Sequence, residues 1–178
     1  MWEVLAAKGF AGLTLRAVAA QMSVSTGMLM HYFPTKRALV VHALDILEKR
    51  TADRPRRSGA AEGLPALRSA LLDILPLTAD ATASNRIWVS SWDLALADPG
   101  LATDQAERYT RMRATLRGHL EAALGQGELP ADADPEDLAT ATVAFIHGLV
   151  VQALFDPDAL PAERQTALVD DFLRSVAR

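Results

Sequence analysis

The chain has 178 residues, half of them hydrophobic and 22% charged, with a net charge of −4 and no cysteine. That composition excludes a disordered chain, and the missing cysteines exclude disulfides and thiolate metal sites. No apolar run is read as long enough to span a bilayer, and the start does not read as a signal peptide, so the cytoplasm is the expected compartment. The charge is uneven. Residues 1–57 hold nine basic side chains (Lys8, Arg16, Lys36, Arg37, Lys49, Arg50, Arg54, Arg56 and Arg57) against four acids, a net of +5, whereas residues 58–178 carry nine basic and eighteen acidic side chains, a net of −9. A basic head on an acidic body suits a protein that presents one end to a polyanion.

Ala and Leu dominate and β-branched stretches are few, which favours helices throughout. Trp2 to Lys8 reads as the end of a helix with Trp2, Leu5 and Ala6 on its inner side, closed by Gly9 and anchored by Phe10. Thr14 caps a helix to about Gln21 with Leu15, Val18 and Ala19 on one apolar face. After the Ser23-Val24 turn, Ser25 caps a short helix through His31, and Phe33-Pro34 ends it. Thr35 caps a fourth helix, carried by Leu39, Ala43, Ile46 and Leu47 to about Arg50. Residues 51–63 read as a connector.

A fifth helix is marked by Leu64, Leu67, Leu71 and Ile74. A sixth is marked by Ile87, Trp88, Trp92 and Ala95 and stopped by Asp98-Pro99-Gly100. A seventh carries Tyr109, Met112, Leu116, Leu120 and Leu124 up to Gly125 and Gly127. Glu136 to Phe155 is apolar on more than one face, which predicts burial both inside the subunit and against a partner. A last helix runs from about Ala162 and shows Leu168, Val169, Phe172, Leu173 and Val176.

The chemistry concentrates in Thr14 to Lys36, TLRAVAAQMSVSTGMLMHYFPTK. Two short helices around a tight turn fit a helix-turn-helix, whose second helix lies in the major groove. Ala19 is small where the helices must approach, and Val24 supplies an apolar lock in the turn. Ser25, Thr26 and Gly27 open the second helix with small groups and backbone N–H donors suited to phosphate oxygens, and Lys36 adds a point charge.

These residues resemble the TetR-type repressors. Gly9-Phe10, Thr14, Val18-Ala19, Val24-Ser25, Gly27, Leu29, His31-Tyr32-Phe33, Lys36 and Leu39 match the family pattern position by position over about residues 5–42. A fainter likeness to the betaine-synthesis regulators runs through Trp88 and Trp92, Ala97-Asp98-Pro99 and Gly148-Leu149. The resemblance implies base-edge or groove contacts from Arg16, Thr26, Met28 and His31, and phosphate contacts from Ser25, Gly27, Tyr32 and Lys36. His31 has a rival reading as an exposed helix-surface residue without function; Leu29 and Phe33 are core anchors.

Three departures stand out. Ser23 occupies the turn position where the family usually has Gly, a strain of about 1 kcal/mol if that site needs positive φ. Met30 replaces a Tyr that commonly touches phosphate. The first helix has only about two turns and no basic arm before it, which leads to the expectation that the natural start lies upstream or that DNA binding is weak.

The resemblance also implies a homodimer joined by the last two helices, with Phe145, Leu149, Leu154, Leu168, Phe172 and Val176 at the interface. The apolar excess of 138–155 and 168–176 independently suits such burial. Trp88 and Trp92, with Tyr109, Met112 and Phe145, either line an apolar pocket for an effector, a cationic one included, or fill the core. His147 reads as a core or interface histidine. The histidines form no metal spacing, and no P-loop, dinucleotide or nucleophile-elbow motif is present, so neither a cofactor nor catalysis is expected.

The reading is thus an all-α protein: a helix-turn-helix DNA-binding head over residues 1–45 and a helical effector-binding and dimerisation body over 46–178. Its partners would be a palindromic double-stranded operator, a second copy and a small-molecule effector that releases the DNA, with no membrane involved. Rival readings are a helical small-molecule-binding protein that has lost DNA binding and, more weakly, a helical enzyme.

Overall fold

The computed structural model describes residues 1–52 and 62–177. Most of the expected connector lies outside the described residues. Among the described residues every regular element is an α-helix: α1 (Trp2–Lys8), α2 (Leu15–Met22), α3 (Thr26–Tyr32), α4 (Lys36–Ala52), α5 (Gly63–Ile74), α6 (Ala79–Ser90), α7 (Trp92–Ala97), α8 (Pro99–Gly125), α9 (Pro135–Phe155) and α10 (Ala162–Val176). They form two compact units. Within the described residues the first comprises 1–52 and 83–102, the second 62–82 and 103–177. The boundary expected near residue 45 therefore falls inside α4, and residues 83–102 pack with the head.

In the first unit Leu5, Phe10, Leu13, Val18, Leu39, Ala43 and Leu47 share a core with Ile87 and Leu101. On α1 the inner face is Val4 and Leu5, while Ala6 is exposed, which corrects the expected register. Trp2 is only half-buried, with the Arg50 guanidinium over its ring at 4.2 Å. Gly9 closes α1 at φ 59°, ψ −167°, a region essentially confined to glycine. A Cβ there would also crowd the Ser90 hydroxyl at 3.3 Å.

The expected sixth helix is two, α6 and α7. Ser91 donates its hydroxyl to the Trp88 carbonyl at 2.7 Å and Ser90 to that of Ile87 at 2.8 Å. Serines that bond back onto the preceding turn compete with the helix ladder, and the chain restarts after Ser91. Asp98-Pro99, expected as a stop, also starts α8. Pro99 takes the first helical position, and the Asp98 carboxylate accepts from the Gly100 and Leu101 amides at 2.9 and 3.1 Å, a proline-plus-cap helix start.

In the second unit α5 packs against α9 and α10. Leu67, Leu71, Leu116, Leu120, Ile146, Val150 and Val169 are buried. Glu62 makes no side-chain cap for α5. Glu128 supplies one from a distant turn, accepting from the Leu64 amide at 2.7 Å. Arg68 holds Asp170 with two hydrogen bonds, at 2.5 and 3.1 Å, tying α5 to α10.

Contrary to the sequence expectation, α9 is long and apolar enough to cross a membrane by length and composition, with a mean hydropathy of 1.8 over its best window. Its apolarity has two destinations. Ala139, Val143, Ile146, Leu149, Val150 and Ala153 are buried within the subunit, whereas Phe155 is exposed and Phe145 and Leu154 are half-buried.

Candidate nucleic-acid interface

Three hydroxyl caps set the local geometry of the head. Thr14 accepts from the Ala17 amide at 3.1 Å, Ser25 from Met28 at 3.2 Å and Thr35 from Ala38 at 3.1 Å. Each fixes where a helix starts. Between α2 and α3 the chain reverses through a Schellman turn: the Ser23 amide donates to the Ala20 carbonyl at 3.3 Å and the Val24 amide to Ala19 at 3.0 Å. Ser23 closes this turn at φ 55°, ψ 38°, the sole positive-φ residue other than glycine among the described residues. The strain foreseen for a serine here is therefore real. Val24 follows half-buried against the head core, and Ala19, at 4% exposure, lets α2 and α3 close up.

α3 buries one side chain, Leu29. Phe33, half-buried, ends the helix with its ring 5.2 Å from His42 of α4. The residues expected to touch DNA lie on α2, on α3 and its cap, and at the start of α4. Gly27, Met28, His31 and Tyr32 are exposed on α3 and Thr26 is half-buried; Ser25 is exposed at the cap, Arg16 on α2 and Lys36 at the start of α4. His31 and Tyr32 meet edge-on at 5.5 Å. Ser25 accepts from the Met28 amide with one lone pair and keeps its O–H to donate, while the first amides of a helix have no intrahelical acceptor. A Cβ on Gly27 would meet nothing closer than the Ser25 hydroxyl at 4.0 Å. The fold does not require glycine there, so the open space is available to an approaching backbone.

Two features went unread in the sequence. Met22 and Met30 are exposed, as are Met28 and Tyr32, and Met22, Met28, Leu29, Tyr32 and Ile46 border an open cleft of about 630 Å3. Arg37, next to Lys36, pairs with Asp98 at 3.0 Å. The Leu101 amide, then Arg37, hold the Asp98 carboxyl below its usual range. Three methionines within nine residues of a helix-turn-helix were the available signal for the first feature; nothing local signals a pairing across 61 positions.

The five aromatic and methionine candidates for an effector pocket divide between the units. Trp88 packs half-buried against the head core and donates its indole N–H to Thr51 at 3.3 Å. Trp92 opens α7, also half-buried, so the two tryptophans do not share one continuous helix. In the second unit Tyr109 meets His147 edge-on at 5.3 Å, Phe145 stacks on Phe172 at 4.3 Å, and Met112 is half-buried. Burial lowers the His147 pKa below its ordinary value, partly offset by a hydrogen bond to the Val143 backbone.

Of the residues expected at a dimer interface, Phe145, Leu154, Leu168, Phe172 and Val176 keep part of their surface. Leu149, at 5% exposure, is already spent inside the subunit and belongs to its core. Among the described residues no three His, Asp or Glu side chains are grouped as a metal would require.

Residues 2–43 match the family model for bacterial regulatory proteins of the tetR family, and residues 64–178 match the model described as BetI-type transcriptional repressor, C-terminal. Relatives include the HTH-type transcriptional regulator PksA of Bacillus subtilis, 23% identical over 98% of this chain and 85% of that protein. The HTH-type transcriptional regulator BetI of Burkholderia mallei is 25% identical over 93% and 83%. Among solved structures, a transcriptional regulator from Rhodococcus sp. Rha1 superposes with a TM-score of 0.83 at 25% identity, covering 98% of this chain and 90% of that one. A transcriptional regulator from Saccharomonospora viridis in complex with choline gives 0.85 at 20% identity, covering 97% and 91%.

Proposed function

Since this chain belongs to the TetR family of transcriptional regulators and carries a BetI-type repressor C-terminal domain, we propose that it is a homodimeric repressor that a small-molecule effector releases from a palindromic operator in the cytoplasm. DNA binding rests on the helix-turn-helix. The observation that carries the reading is the presentation of α3: one buried anchor, a capped start and the remaining surface turned outward beside Arg16 and Lys36.

In this reading Thr26, Met28 and His31, with Arg16 from α2, reach base edges. Ser25, Gly27, Tyr32 and Lys36 hold the phosphates and so fix the register. Two copies would join through the surfaces of α9 and α10 that carry Phe145, Leu154, Leu168, Phe172 and Val176, with Leu149 behind them as core. Two-fold symmetry of the pair would match two-fold symmetry of the operator.

For the effector we favour a small organic cation bound in the second unit, near Tyr109, Met112 and Phe145. Support comes from the choline complex of the Saccharomonospora viridis regulator and from the preference of aromatic faces for cations. A neutral His147 beside Tyr109 would add no repelling charge. Trp88 is assigned instead to the packing of the first unit, and Trp92, which also lies in that unit, is left out of the effector site. The effector would act by binding the DNA-released conformation more tightly than the bound one.

The test is a titration of the purified protein against duplexes from its own upstream intergenic region at several salt concentrations. A repressor shows a sequence preference and a steep fall in affinity with salt, and Lys36→Ala flattens the slope of log K against log salt by about 0.9. Equal, salt-insensitive binding to every sequence would refute the reading. A choline titration of the complex then asks whether a quaternary ammonium releases the DNA.

A further inference from the structure

From Met22 to Thr35 the chain contains no Lys, Arg, Asp, Glu, Asn or Gln. Bidentate reading of guanine needs Arg or Lys and of adenine needs Asn or Gln, so α3 offers no such reader. Gln21, just before this stretch, is engaged with Glu3. What α3 offers instead is apolar. Among the described residues the exposed large hydrophobic side chains are Met22, Met28, Met30, Tyr32, Leu96 and Phe155, and the first four fall within eleven residues.

Helical geometry arranges them in order. With Leu29 inward, Gly27 and His31 lie on the opposite crest, while Met28 and Met30 project from its two flanks. Each methionine leaves about half of its surface open, 54% in both cases. A crest with no side chain at Gly27 allows close approach, which would bring a thioether on each flank alongside the base edges of a major groove. The apolar group displayed there is the C5-methyl of thymine.

We propose that Met28 and Met30 are specificity-determining residues that read thymine methyl groups on either side of the base pair faced by His31. The inference rests on the operator-binding function proposed above and adds what that operator must contain. Met22 and Tyr32, which border one cleft with Met28, extend the apolar surface on that flank. Methionine suits the task because its unbranched, polarisable side chain adapts to a methyl group without a fixed rotamer.

The test starts from operator duplexes enriched by the full chain from a random library. Selected thymines are then replaced by deoxyuridine, which removes the C5-methyl and leaves every hydrogen-bonding edge unchanged. Burial of one methyl group predicts a loss of about fourfold in affinity per half-site. Met28→Ala and Met30→Ala should each weaken binding to the thymine operator and abolish its advantage over the deoxyuridine one at the matching position. Both side chains are half exposed, so the variants should keep their fold, which thermal melting checks. An operator bound equally with and without its thymine methyls overturns the inference and leaves the regulator reading intact. Failure to enrich any sequence overturns both.

Discussion

Ser23 is where sequence and backbone disagree most openly, and replacing it measures that disagreement. At φ 55°, ψ 38° the residue closes the Schellman turn between α2 and α3. For an L-residue the left-handed region costs about 1–2 kcal/mol. Glycine removes that cost and gives back about 0.4–1 kcal/mol through its greater freedom in the unfolded chain. Ser23→Gly should therefore stabilise the protein by about 0.5–1 kcal/mol, a rise of about 1–4 °C in Tm for a chain of this size. Ser23→Val, β-branched in the same conformation, should be destabilising, and Ser23→Asn should fall between serine and glycine because Asn tolerates this region. Urea unfolding by circular dichroism, with midpoints compared at constant slope, reads all three. A glycine variant less stable than wild type, or a valine variant equal to it, would refute the assignment of strain to this turn. Operator affinity should follow the same order if the turn sets the angle at which α3 is presented.

Gly27→Ala should raise stability by about 0.5–1 kcal/mol, since an added Cβ meets only open space. It should nevertheless lower operator affinity at least tenfold if a phosphate or base approaches the backbone there; unchanged binding would remove Gly27 from the interface. Gly148→Leu on α9 and Gly118→Leu on α8 both enter space empty within the subunit. Analytical ultracentrifugation should find only the α9 variant shifted to monomer, and a dimer in both cases would place the interface elsewhere. His147 has a lowered pKa, so the unfolded chain binds its proton more readily than the folded one. Its contribution is full above about pH 6.5 and is lost as pH falls from there through the depressed folded value. His147→Gln should flatten that part of the stability–pH curve. A further loss below the ordinary carboxylate range should persist in this variant, because the Asp98 and Asp170 carboxyls are held low by their partners.

Much of this molecule was legible because its signals are local. Thr14, Ser25 and Thr35 cap helices where hydroxyls stand before apolar periodicity, and Gly9-Phe10 closes α1 as such a pair should. What escaped the reading depended on rivalry between local signals or on distance. Trp88 and Trp92 stand four residues apart and suggested one helical face, but Ser90 and Ser91 turn their hydroxyls back onto carbonyls and break it. In α1 the bulk of Trp2 drew the expected inner face toward itself. The ring instead lies partly exposed under Arg50, and the smaller Val4 is buried beside Leu5. The cap contributed by Glu128 to α5 and the Arg37–Asp98 pair each span more than sixty positions, and no periodicity reports them.

Why the proposed reading surface can be so apolar follows from how α3 is held. A helix of seven residues is far below the length that is stable alone in water. α3 therefore inherits its position from Val24, Leu29 and Phe33, which pack against or belong to the core formed by Leu13, Val18, Leu39 and Ala43. Because three anchors at its ends and centre do that work, the side chains between them need not contribute to folding. They are at liberty to match DNA. A charged crest would have bound phosphate anywhere along a duplex with little regard to sequence. In the proposed reading Lys36, beyond the end of α3, supplies attraction to the backbone, while discrimination among bases falls to α3 and to Arg16 before the turn. Methyl groups, which every thymine displays and no cytosine does, are then the feature of the groove to which such a surface can respond.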